Sequence, residues 1–133
     1  MTGTTSSEKW VGKSLRRFED ERLLIGRGTY TADISRPGML HIGLLRSPHA
    51  HARIVSIDTG EAQSLPGVVA IITGEELARR SNPFVVVFPS KMLDYPMAVK
   101  KVRYVGEPVV AVAATDRYVA EDAIQLINVE YEP

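Results

Sequence analysis

His49 and His51 stand two residues apart. On an extended chain they would share one face, which is the spacing of half a metal site. A competent zinc centre needs three or four ligands. His41 is the one other histidine, and no carboxylate cluster adjoins the pair. No metal ligands are therefore assigned, and the expected role is structural: hydrogen bonding to loop backbone, or an interface contact. Glu107, in Gly106-Glu107-Pro108, has the chemistry of a general base. A base needs a pocket, a partner and a raised pKa. The sequence supplies none of these, so the expectation is a turn in which Glu107 satisfies backbone donors or pairs with Arg103. Gly26-Arg27-Gly28-Thr29-Tyr30 is glycine-rich but lacks the spacing of a phosphate-binding loop. It is expected to be a tight turn that lets two backbones approach. No Ser/His/Asp arrangement and no G-x-S-x-G elbow can be argued. No catalytic, cofactor-binding or metal residue is assigned.

The elements that position these residues follow from composition and pattern. A chain of 133 residues with 44% apolar and 24% charged residues suggests an ordinary globular domain. Sixteen basic and sixteen acidic residues cancel, so no net field favours nucleic acid or an anionic membrane. The absence of cysteine excludes disulfides, thiolate metal ligation, iron–sulfur ligation and a cysteine nucleophile. No apolar run is long enough to span a bilayer. Arg16-Arg17-Phe18 is followed by Glu19-Asp20-Glu21-Arg22 and not by an apolar stretch, so it does not read as an export signal. A cytoplasmic location is the default expectation.

Residues 1–8 are small and polar and are expected to be disordered. Residues 9–37 lack periodicity yet carry Trp10, Leu15, Phe18, Leu24 and Ile34, and read as an extended arm. The arm either folds back on its own domain or docks on a missing domain or subunit; exposure logic favours the second. Residues 38–133 read as a mixed α/β domain. Met39–Arg46 is a predicted strand with Leu40, Ile42 and Leu44 on one face. Pro48 bends it into a hairpin with Ala52–Ile57. Asp58-Thr59-Gly60-Glu61 and Thr73-Gly74-Glu75-Glu76 have the form of capping boxes and open short helices. Val68–Ile72 between them is a β-branched run, predicted to be a buried strand.

Phe84-Val85-Val86-Val87-Phe88 lies in a proline-rich stretch and is either a short strand or a loop that meets a partner. Val102–Val105 is a predicted strand. Val109–Ala114 is apolar throughout, typical of a strand buried on both faces. Thr115 or Asp116 caps a helix with Val119, Ala120, Ala123, Ile124 and Ile127 inside and Arg117, Glu121 and Gln125 outside. Asn128–Glu132 is the last strand. Strand, helix, strand over 109–132 reads as a βαβ unit, which predicts a mixed, partly parallel sheet.

Two segments carry more than element information. Arg46-Ser47-Pro48-His49-Ala50-His51-Ala52-Arg53-Ile54 and Val102-Arg103-Tyr104-Val105-Gly106-Glu107-Pro108-Val109-Val110-Ala111-Val112 resemble signature segments of the molybdenum hydroxylases. That family comprises the large subunits of xanthine dehydrogenase, aldehyde oxidase and carbon monoxide dehydrogenase. Ile57-Asp58, Leu65-Pro66-Gly67-Val68-Val69-Ala70, Ala120-Glu121-Asp122-Ala123 and Val129-Glu130-Tyr131-Glu132-Pro133 follow in the expected order. The resemblance implies an α/β hammerhead fold, the first domain of a molybdopterin-binding large subunit. It also implies an FAD subunit and an iron–sulfur subunit as partners. The implied reaction is hydroxylation of a carbon centre, or oxidation of carbon monoxide, with oxygen drawn from water. The family's molybdopterin-binding loops and catalytic glutamate belong to later segments, so Glu107 does not inherit that role. The chain alone is expected to bind no cofactor and to be inactive.

Two functions are thus expected. One is a structural domain, or fragment, that assembles with the catalytic domains of such an enzyme. The alternative is a stand-alone binding or assembly module that kept the hammerhead fold, with a homodimer through residues 84–88 as one form.

Overall fold

The computed structural model describes residues 11–84 and 94–133. The chain divides into two units at Arg36/Pro37. Trp10 and Val85–Phe88, singled out above, lie outside the described residues.

In the first unit a short helix, α1 (Asp20–Leu24), is followed by a 3-10 turn at Thr31–Asp33. Arg17 and Asp20 pair across the start of α1 at 3.0 Å. Gly26 follows its C-cap with φ +72°, a conformation that glycine adopts without the Cβ penalty. The Gly26 amide donates to the Leu23 carbonyl at 3.2 Å and the Arg27 amide to the Arg22 carbonyl at 2.8 Å, the pairing that closes many helix C-termini. The glycine-rich stretch is therefore a helix stop. Its close approach is between Gly28 and the Leu23 side chain, where a Cβ would stand 2.6 Å from Leu23 Cδ2. It does not bring two backbones together, as the sequence suggested.

In the second unit, strands β1 (His41–Arg46), β2 (Ala52–Asp58), β3 (Val68–Thr73), β4 (Lys101–Val102), β5 (Pro108–Ala114) and β6 (Asn128–Glu132) form two three-stranded sheets. One has the order β1-β5-β3 and the other β4-β2-β6. Helices α2 (Gly60–Ser64), α3 (Gly74–Arg80) and α4 (Arg117–Gln125) connect them. The mixed α/β expectation holds, but two details are corrected. β5, α4 and β6 run in the predicted order, yet β5 and β6 lie in different sheets, and every strand pair among the described residues is antiparallel. Likewise β1 and β2 do not form a hairpin: the loop containing Pro48 carries the chain from one sheet to the other.

Two termini follow their sequence signals closely. Thr73 caps α3 with the full reciprocal box, accepting from the Glu76 amide at 3.4 Å while the Thr73 amide donates to Glu76 Oε2 at 3.2 Å. Asp116 caps α4 by accepting from the Tyr118 amide at 2.7 Å. At α2 the predicted box does not close. Thr59 occupies the cap position, and Asp58 Oδ1 accepts from the Gly60 amide at 2.9 Å.

The core sits between α4, α2 and the sheets, built around Val102, Val109, Val110, Val112, Ala120 and Ala123. Gly43 of β1 faces α4: a Cβ there would lie 3.0 Å from the Ala120 carbonyl oxygen and 2.6 Å from Ile124 Cδ1. The helix can approach the sheet this closely because position 43 has no side chain. Gly74 plays the same part against the backbone of Ala98, where a Cβ would fall 1.8 Å from the carbonyl oxygen.

Register then decides the two faces of the β1-β5-β3 sheet. Gly43 pairs with Val112, which pairs with Ile71, and this row looks toward α4. The alternate rows, Ile42–Ala113–Ala70 and Leu44–Ala111–Ile72, look the other way. Ile42 is 72% exposed. The Leu40, Ile42, Leu44 face predicted from periodicity is thus the sheet's outer face and not its core face. β3 is corrected too. It is an edge strand, and a register shift between Val68 and Ala70 leaves Val69 56% exposed. β4 is shorter than predicted, and Tyr104 and Val105 are exposed in the following turn.

Candidate functional site

The two signature segments, some sixty residues apart in sequence, are tied into one knot. The Ser47 amide donates to the Glu107 carbonyl at 2.9 Å, and the Gly106 amide returns a bond to the Ser47 carbonyl at 2.8 Å. Arg46 Nη1 donates to the Gly106 carbonyl at 2.9 Å. Gly106 has φ +90°, so a residue with a Cβ would be strained at this crossing. The knot sits at the end of β1 and the start of β5, where the chain enters and leaves the first sheet.

Glu107 is buried at 5% exposure, and its carboxylate is engaged. Oε2 accepts from the Arg103 amide at 2.5 Å, and Oε1 faces the Arg103 guanidinium at 3.6 Å. This is the arrangement expected of a turn carboxylate. A buried carboxylate is tolerated because a charge and a backbone donor compensate its lost hydration.

His49 and His51 part company. The segment 47–51 is a loop and not a strand, so the shared-face geometry does not arise. The His49 amide donates to Ser47 Oγ at 3.0 Å, and Ser47 Oγ donates to the His49 carbonyl at 3.0 Å. The His49 ring packs tilted against Tyr131 of β6, with centroids 4.9 Å apart. Burial pushes the Tyr131 phenol above the usual tyrosine range, and a hydrogen bond with Ser47 partly offsets this. Ser47 therefore links the knot, His49 and the second sheet, a role that sequence reasoning missed. Its signal was present only as a serine inside a signature segment.

His51 lines an open pocket of about 670 Å³ beside the second sheet. Met97 and Val99 give this pocket an apolar part, and Arg53, Lys100, Lys101 and Arg103 give it a cationic one. Arg53 Nε donates to Glu132 Oε2 at 2.6 Å, and Arg103 faces Glu107. The pocket was not legible in sequence, because its cations come from β2 and from the stretch around β4 and meet only across the sheet.

No group of three histidine, cysteine, aspartate or glutamate side chains is placed to hold a metal ion among the described residues. The donor set of these described side chains does not fit a molybdenum centre either. The buried carboxylate is already engaged by Arg103, and one histidine ring is packed on a tyrosine. No step of hydroxylation is placed on these residues. No helix among the described residues is long and apolar enough to cross a membrane.

Residues 25–133 match the family model described as aldehyde oxidase and xanthine dehydrogenase, a/b hammerhead domain. The chain belongs to this family, the molybdenum hydroxylases. It is 44% identical to the 6-hydroxypseudooxynicotine dehydrogenase complex subunit gamma of Paenarthrobacter nicotinovorans, over 95% of this chain and 17% of that one. It is 42% identical to the carbon monoxide dehydrogenase large chain of Afipia carboxidovorans, over 92% of this chain and 15% of the other. Among solved structures, quinoline 2-oxidoreductase from Pseudomonas putida 86 superposes with a TM-score of 0.82 at 49% identity, covering 91% of this chain and 16% of that chain. The chain thus spans about a sixth of the length of these relatives.

Proposed function

We propose that this chain serves as the N-terminal architectural domain of a molybdenum hydroxylase large subunit, assembling with the catalytic portion and not turning over substrate alone. The observation that carries this reading is the combination of near-complete coverage of this chain with about one-sixth coverage of its relatives. In this reading molybdopterin is held by the rest of the large subunit. FAD and iron–sulfur clusters reside in partner subunits, consistent with a chain that has no cysteine for cluster ligation. The arm of residues 9–37 then docks outside its own domain, and the cell compartment is the cytoplasm.

The test is recovery of the tagged chain from its native cells, with native mass and molybdenum content read on one sample. A large assembly containing molybdenum and large-subunit peptides is the expected result. A metal-free monomer or dimer, or turnover of an aldehyde or purine by the purified chain alone, refutes the proposal. The pocket beside Lys100 and Lys101 favours a second reading, an independent module that binds a small anion. Calorimetric titration of the isolated chain with aromatic carboxylates separates the two, because only that reading expects saturable heat.

A further inference from the structure

We infer that the outer face of the β1-β5-β3 sheet is the seat of the remainder of the large-subunit polypeptide. This inference rests on the architectural reading above and names the surface through which it operates. The face consists of the rows Ile42–Ala113–Ala70 and Leu44–Ala111–Ile72. All six side chains are apolar, and Ile42 and Leu44 are exposed. An antiparallel sheet with one face in water ordinarily alternates apolar and polar residues. β5 breaks that rule, with only apolar residues from Pro108 to Ala114, so both of its faces are composed for burial. α4 covers one face; on the other, among the described residues, Ile42, Leu44 and Ala70 stay exposed while Ala111, Ala113 and Ile72 are half-buried.

Area decides among occupants. Three strands at about 4.8 Å spacing and about 20 Å length offer roughly 300 Å². A stable interface between separate proteins needs about 800 Å² from each partner, so a second copy seated here would be held weakly. A segment of the same polypeptide is not bound by that requirement, because tethering gives it an effective concentration near the millimolar range. The relatives carry about five-sixths of their length outside the matched region. The occupant is therefore an apolar segment of that remaining chain.

The absence of cysteine permits a clean test with Ile42→Cys, a mild change at an exposed position, and Val55→Cys as a control on the second sheet. Maleimide labelling at each site is followed by peptide mass spectrometry in the isolated chain and in the complete enzyme from its native cells. The expected result is fast labelling of both sites in the isolated chain, and labelling at position 42 slowed at least about tenfold in the enzyme. Equal labelling at position 42 in both samples overturns the assignment of this face while leaving the architectural reading intact. Protection of position 42 in the isolated chain that grows with concentration assigns the face to a second copy and overturns the occupant. Absence of the chain from any molybdenum-containing assembly overturns the architectural reading, and the inference with it.

Discussion

Gly74 and Glu107 show how single residues hold this domain together. A Cβ at position 74 would fall 1.8 Å from the Ala98 carbonyl oxygen and 2.7 Å from its carbon. Both are backbone atoms that cannot rotate away. Gly74→Ala is expected to cost about 3 kcal/mol, read as a lowered urea midpoint at unchanged slope. Glu107→Ala leaves the Arg103 amide without its carboxylate partner and is expected to cost about 2 kcal/mol. Glu107→Gln keeps an acceptor and should recover most of that loss. If both variants are equally unstable, the charge pairing with Arg103 dominates and the amide bond is secondary. Tyr131 gives the domain an alkaline dependence. Its folded pKa lies above the unfolded value, so between the two the unfolded chain has lost a proton that the folded chain keeps. The contribution is complete below about pH 10 and declines as pH rises through the folded value. Denaturant unfolding between pH 8 and 11 should show this decline, and Tyr131→Phe should flatten it.

At the scale of elements, two helix starts were legible because they depend on residues two or three apart. Thr73 and Glu76 close the box their spacing predicts, and Asp116 caps α4. Thr73→Ala is expected to cost about 1 kcal/mol, and hydrogen exchange in α3 should rise before it rises in α4. The inner stripe of α4 was equally plain: Ala120 and Ala123 are buried, and Arg117 and Glu121 pair outside at 3.6 Å. Sheet faces were harder. A run such as Leu40, Ile42, Leu44 announces a period of two but not which side of the sheet holds the helix. Gly43 settles that, since the helix packs where the side chain is missing. The capping box at α2 failed for a local reason: Asp58 bonds the Gly60 amide two residues on, an alternative open to any aspartate before a turn.

At the scale of the whole molecule, the chain combines an internally satisfied core with apolar surface that its own described residues leave open. No buried side-chain polar atom lacks a partner among the described residues. Phe84 is 60% exposed at the start of the apolar pentamer. Its amide is held by the Asp94 carbonyl at 2.7 Å, while its ring stays exposed. Phe84→Asp is expected to leave the urea midpoint of the isolated chain within about 0.5 kcal/mol. In the complete enzyme it should lower the yield of the assembled complex, measured by native mass. An unchanged yield means that this side chain is not at an interface.

The sequence by itself determined the family, the order of nearly all elements, the caps of α3 and α4 and the absence of thiolate chemistry. These are properties of neighbouring residues and of motif order, which no folding event can rearrange. Only the tertiary structure decided that β5 and β6 part into separate sheets, that the described strands all pair antiparallel, and that the two signature segments meet through Ser47, Gly106 and Glu107. It also decided that the Ile42 and Leu44 face looks outward. Strand partners and sheet faces are set by contacts between residues dozens of positions apart, and the period of a strand is the same whichever face the helix covers.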